Sequence, residues 1–61
     1  MELFRRLPET YRAVLEMKLL IGYTDKEIAD HLGISETAVS SRASRGRAML
    51  RKLVEKEGLN L

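Results

Sequence analysis

The sequence predicts an all-α fold. It is a small four-helix domain in which two helices meet at a tight turn, and the longer second one carries most of the positive charge. Three observations predict it. Apolar residues recur at helical spacing, as at Val39, Ala43, Gly46, Leu50 and Leu53, which marks the inward stripe of a helix. Glycines stand where helices must stop, at Gly22, Gly33 and Gly58, because glycine accepts the left-handed backbone that closes a helix. Capping residues stand where helices must begin, with Thr24 three residues before Glu27 and Ser35 just before Glu36.

Residues 1–6 (MELFRR) are too short to hold a helix alone, so a short first helix there relies on Leu3 and Phe4 tucking against the core. Pro8 suits a first helical turn, and Glu9 sets a negative charge at its positive end. The first long helix is therefore expected from about Pro8 to Ile21, closed by Gly22. Between Ala13 and Ile21 only Glu16 and Lys18 are polar. At about 100° per residue, Ala13, Val14, Met17, Leu20 and Ile21 form one broad apolar face. Tyr11, Leu15 and Leu19 form a narrower second face. Core packing on both sides would account for both, but Leu15 and Leu19 are also the candidates for docking another protein.

A short helix follows from the Thr24 cap, with Ile28, Ala29 and Leu32 on its apolar face, and stops at Gly33. The last helix is expected from about Glu36 to Glu57, ending at Gly58, with residues 58–61 a frayed tail. Ala29, Gly33 and Val39 carry the geometry of the junction. A small residue allows close approach, a glycine turns the chain, and a β-branched residue plugs the angle. Those are the needs of a helix-turn-helix, whose second helix can enter a DNA major groove.

Composition narrows the function. Sixty-one residues make one domain at most, near the lower limit of independent stability, with 44% hydrophobic residues for a single small core. The net charge is only +2, yet Arg42, Arg45, Arg47, Arg51 and Lys52 fall together, and no acid lies between Glu36 and Glu55. Such a local basic stripe points to a polyanionic partner. Opposite the inward stripe sit Thr37, Ser41, Ser44 and Ala48, flanked by Ser40, Arg45, Arg47, Arg51 and Lys52. Small polar side chains with cations at the edges suit a helix pressed against base edges, with phosphates on either side.

Other chemistry is missing from the sequence. There is no cysteine, hence neither a disulfide framework nor a thiolate metal site. No apolar run exceeds three residues, as at Leu19-Leu20-Ile21, and no targeting signal is present, so a cytoplasmic protein is expected. His31 is the single histidine and has no second metal ligand in prospect. The serines at 35, 40, 41 and 44 have no histidine arranged to activate them. An enzyme, a cofactor and a metal site are not expected.

From Leu7 to Leu53 the chain resembles region 4 of bacterial RNA polymerase sigma factors, in particular the extracytoplasmic-function type. The resemblance rests on Leu7-Pro8-Glu9, Tyr11-Arg12 and Val14-Leu15, then Gly22-Tyr23-Thr24, Glu27-Ile28-Ala29, Leu32-Gly33-Ile34 and Thr37-Ala38-Val39. Ser41-Arg42, Arg45 and Leu50 complete it. It implies a domain that reads the −35 promoter element while held on the β-subunit flap of RNA polymerase, with an anti-sigma factor as a further candidate partner and a monomeric state. By the same resemblance Ser40, Ser41, Ser44 and Arg45 would read bases. Thr24, Lys26, Thr37, Arg42, Arg47 and Arg51 would hold the DNA backbone. Two positions depart from the family: Ser40 replaces a usual Lys or Arg, and Ala43 replaces a larger aliphatic.

Two other readings compete. The helix-turn-helix output domain of a response regulator resembles the chain from Gly22 to Val39, but usually breaks after the recognition helix. Nothing interrupts this one between Ser35 and Glu57 except Gly46. A protein-interaction module that binds polymerase or an anti-sigma factor without DNA is the third reading, and the acid-free basic face speaks against it.

Overall fold

The computed structural model describes residues 2–56 and 58, with side chains from Phe4 onward. Four helices follow in order: α1 (Glu2–Arg5), α2 (Glu9–Leu15, continued by a π-helical segment Glu16–Ile21), α3 (Asp25–Leu32) and α4 (Glu36–Lys56). No strand occurs among the described residues. The expectations on Met1, Glu57 and the tail from Leu59 to Leu61 fall outside them. Gly58 lies at φ +71°, with its N–H donating to the Glu55 carbonyl at 3.1 Å. This is the left-handed stop expected after α4.

α3 and α4 form as their caps dictate. The Thr24 hydroxyl accepts from the Glu27 N–H at 3.2 Å, and Glu27 Oε1 accepts from the Thr24 N–H at 2.9 Å. Two donors that a helix start leaves free are thus satisfied reciprocally. Gly33 closes α3 at φ +67°, where any side chain would be strained. The next N–H, of Ile34, returns to the Ala29 carbonyl at 3.1 Å. Ser35 then caps α4, its Oγ accepting from the Ala38 N–H at 3.0 Å.

The core gathers Phe4, Leu7, Val14, Leu15, Ile28, Ala29, Val39 and Ala43. α4 lies against α2, α3 and α1, presenting Val39, Ala43 and Gly46 inward, with Leu50 and Leu53 half-buried further along. Ala29 and Val39 are buried as the junction requires, whereas Leu32 is only half-buried against them. Ala43 is enclosed despite its small side chain.

The second half of the first long helix departs from expectation. After Leu15 the helix widens, and the Gly22 N–H reaches back five residues to the Met17 carbonyl at 3.0 Å. A π turn advances fewer degrees per residue than an α turn, so each later side chain rotates away from its α-helical position. Leu20 and Ile21, expected inward, are instead 56% and 60% exposed beside Leu19 at 52%.

Leu15 goes the other way. It is fully buried, which removes it from any docking surface. The cause lies on α4: a Cβ placed on Gly46 would sit 2.9 Å from Leu15 Cδ1 and 3.2 Å from Tyr11 Cβ. The missing side chain is the socket that Leu15 fills.

That contact makes a test. On a free helix Gly→Ala gains about 1 kcal/mol, but overpacking here costs about 1–3 kcal/mol. Gly46→Ala is therefore expected to lose about 1 kcal/mol in urea unfolding. In a Leu15→Val background, which withdraws the clashing Cδ1, the same change should become neutral or stabilising. An additive pair would refute the contact as the cause.

Candidate nucleic-acid interface

α4 sets the geometry of the candidate surface. Its inward stripe fixes the opposite side toward solvent, and there Thr37, Ser41, Ser44 and Ala48 lie exposed in one line. At about 100° per residue, Ser40, Arg47 and Arg51 share one edge of that line and Arg45 stands on the other. All four are exposed. Arg47 and Arg51 flank a shallow depression of about 240 Å³ floored by Ser44 and Ala48. The middle of the face is low and its edges are cationic. Arg42 is half-buried, set one step from the buried Ala43, and so stands at the margin of the face. Lys52 is exposed but lies about 16 Å along the axis from Ser41, beyond the turns that carry the serines.

The start of α3 contributes a second, smaller patch. Thr24 and Lys26 are both exposed there. The Thr24 N–H donates to the Glu27 carboxylate, and the Thr24 hydroxyl accepts from the Glu27 N–H. Two acids, Asp25 and Glu27, stand in the same turn and would repel a phosphate. Lys18 Nζ pairs with Asp25 Oδ1 at 2.9 Å and offsets one of them. Sequence reasoning missed this partner, because the pair spans Gly22 and depends on the π segment that sets where Lys18 points.

Among the described residues, Glu27 is the one group whose ionisation shifts clearly. Hydrogen bonds from the Thr24 backbone and hydroxyl hold its carboxyl below the ordinary carboxylate range. His31 is occupied structurally, its ring stacked on Tyr23 with centroids 4.9 Å apart and 8° between planes. Among the described residues no group of three or more His, Asp or Glu could hold a metal ion, and no helix is long and apolar enough to cross a membrane.

The junction residues sit as a helix-turn-helix needs them, with Ala29 and Val39 buried and Gly33 left-handed in the turn. Across residues 1–50 the chain matches the family described as Sigma-70, region 4. The chain belongs to the sigma-70 region 4 family. Region 4 of sigma factors is a DNA-binding regulatory domain and not an enzyme family. Over 51 residues this region 4 chain is 45% identical to the RNA polymerase sigma factor SigZ of Bacillus subtilis (strain 168), a match covering 84% of the chain and 29% of SigZ. It is 46% identical over 46 residues to a UPF0122 protein of Acetivibrio thermocellus, covering 75% of the chain and 39% of that protein. The chain thus spans well under half the length of these curated relatives. No solved structure matches it.

The Glu27 shift gives a signed pH dependence. A depressed folded-state value means the unfolded chain takes up the proton first on acidification. The capping box therefore contributes fully above the ordinary carboxylate range and is lost as pH falls through Glu27's folded value. Glu27→Gln keeps the shape but removes the titration. Its melting temperature should fall less than the parent's between about pH 6 and about pH 3. Parallel curves would contradict the assignment.

Proposed function

We propose that this chain is the part of an extracytoplasmic-function-type sigma factor that reads the −35 promoter element with α4 in the major groove, while docked on RNA polymerase. The observation that carries the reading is the outer face of α4. It has a low centre of Thr37, Ser41, Ser44 and Ala48, cationic edges, and no acid from residue 37 to residue 54. Bulk in the centre would hold the helix off the base edges, and an acid at the edge would meet phosphate. Ser40, Ser41, Ser44 and Arg45 are the base readers. Thr24, Lys26, Thr37, Arg47 and Arg51 hold phosphates, with Arg42 a marginal contributor. The response-regulator alternative is disfavoured by α4 itself, which continues unbroken from Glu36 to Lys56.

Docking falls to the exposed tripeptide Leu19-Leu20-Ile21 and not to Leu15. A single recognition helix reads few base pairs, and one module of this size buries roughly 600–1,000 Å² on DNA. Affinity for naked promoter DNA is therefore expected to be weak, and attachment to the β flap raises local concentration without new DNA contacts. An anti-sigma factor would compete for the same apolar surface. The domain works as a monomer.

Selection of bound sequences from a random DNA pool, with the chain fused to a promoter-melting domain, tests the whole reading by asking for a recurring −35-like motif. Within it, Arg45→Ala should relax preference at one base position by about 1–3 kcal/mol. Arg47→Ala should weaken all sequences about equally and flatten the salt dependence. Identical behaviour across a panel of single-base promoter variants would overturn the division of roles.

Docking has its own measurement. Leu19→Glu should abolish flap binding and transcription but leave the fold and naked-DNA affinity intact, since Leu19 is half in solvent already. Loss of thermal stability, or undiminished transcription, would remove Leu19 from the docking surface.

A further inference from the structure

Gly46 does more than admit Leu15. At the first turns of α4, Val39 is fully buried in one cluster with Ile28 and Ala29 of α3, and this junction fixes where the helix sets out. Further along, about 10 Å on, the backbone at Gly46 rests against Leu15 and Tyr11 of α2. We propose, on the reading of α4 as the base-reading helix, that Gly46 is a specificity-determining position. It sets the tilt of α4 about its junction with α3, and with it the depth at which the turn of Ser44 and Ala48 meets base edges.

Direction is the first support. At about 100° per residue, Ser44 and Ala48 stand about 160° round the helix from Gly46. Anything that wedges α4 off α2 therefore drives these two residues toward the DNA. A Cβ on Gly46 would lie 2.9 Å from Leu15 Cδ1, 3.2 Å from Leu15 Cγ and 3.2 Å from Tyr11 Cβ. Carbon atoms settle at roughly 3.5–4.0 Å, so the two helices must part by about 0.6 Å or more. Leu15 has little freedom to step aside, because it is fully buried in a core that also encloses Val14 and Val39 completely.

Leverage is the second. With the Val39 junction as pivot and a rise of about 1.5 Å per residue, about 0.6 Å at Gly46 becomes about 0.4 Å at Ser44 and about 0.8 Å at Ala48. At Ser41, next to the pivot, it is only about 0.2 Å. Arginines on long stems can follow a phosphate through such a shift, whereas a serine hydroxyl or an alanine methyl moves with the backbone. The base pair facing Ser44 and Ala48 is thus the one that Gly46 controls, and the base pair facing Ser41 is not.

The test compares duplex binding by the parent, Gly46→Ala and Leu15→Val/Gly46→Ala on a panel of single-base promoter variants. It is run at about 10 °C, near the usual maximum of stability, with folding checked by circular dichroism. Ser41→Ala and Ser44→Ala on the same panel mark the base pair that each serine reads. Gly46→Ala should relax preference at the Ser44 base pair roughly fivefold, the low end for one base contact, and leave the Ser41 base pair within about twofold of the parent. The Leu15→Val/Gly46→Ala variant should recover parental preference at both. Partial unfolding would weaken every duplex by one factor, so a uniform loss would overturn the proposal. Unchanged preference, or a double variant that does not recover, would do the same. If Gly46→Ala does not fold, Leu15→Val/Gly46→Ser puts one atom back into the space that Cδ1 leaves. It should show the same relaxation, and parental preference there would overturn the proposal. Failure of the underlying reading looks different: the parent itself would show no base preference, and the proposal would fall with it.

Discussion

The fold turns on the contact between Leu15 and the bare backbone of Gly46. α4 has no loop of its own to hold its middle in place; it is positioned by what it lies on. At Gly46 the absent Cβ lets α2 approach until Leu15 fills the gap. Arg45 and Arg47, on opposite edges of the outward face, flank that glycine. The depth at which α4 settles on α2 therefore also sets the height of two of its principal cations. A helix-interior glycine costs roughly 1 kcal/mol in propensity, and close packing against a fully buried leucine offsets it. A larger residue would lift the helix and the DNA-facing side with it.

The sequence was legible wherever local chemistry decides the structure. Thr24 with Glu27, Gly33 and Ser35 each specify a backbone event through their own side chain or its absence, and each appears at its expected place. The α4 stripe was legible because 21 residues of one helix repeat the same spacing many times over. The second half of the first long helix was not. Glu16–Ile21 has good α-helical side chains, and nothing in their order marks a π turn. The segment closes at Gly22 with φ +91°, and across that glycine Lys18 pairs with Asp25 at 2.9 Å, a contact that no local spacing rule points to. Periodicity grouped Leu20 and Ile21 with Val14 on one apolar face, yet Val14 is fully buried and the other two are exposed.

The candidate site divides in the same way. The outer face of α4 could be read directly, because the inward stripe determines what remains outside. Half-buried Arg42 is the exception, lying too near the stripe for periodicity to place it on either side. The α3 patch was less legible. Acids at a helix N-terminus are ordinary, so sequence alone gives no reason to ask how a phosphate could approach them. The answer involves Lys18, seven residues before Asp25 and beyond a glycine turn. Helical i, i+3 and i, i+4 rules do not connect such residues.

The π segment also bears on why this surface is arranged as it is. Fully burying a leucine or isoleucine is worth about 1.5–3 kcal/mol, and a small domain has few such contributions to forgo. The π-helical segment leaves Leu20 and Ile21 beside Leu19, all at more than half exposure. A sequence selected for stability alone would place polar residues at these three positions or wind the helix so that they pack. Retaining three large aliphatics on the outside makes physical sense if another surface covers them when the domain works, as the docking proposal holds. The same departure that defeats the sequence reading thus concentrates apolar area on one patch. The Lys18–Asp25 pair ties that patch to the first turn of the helix-turn-helix.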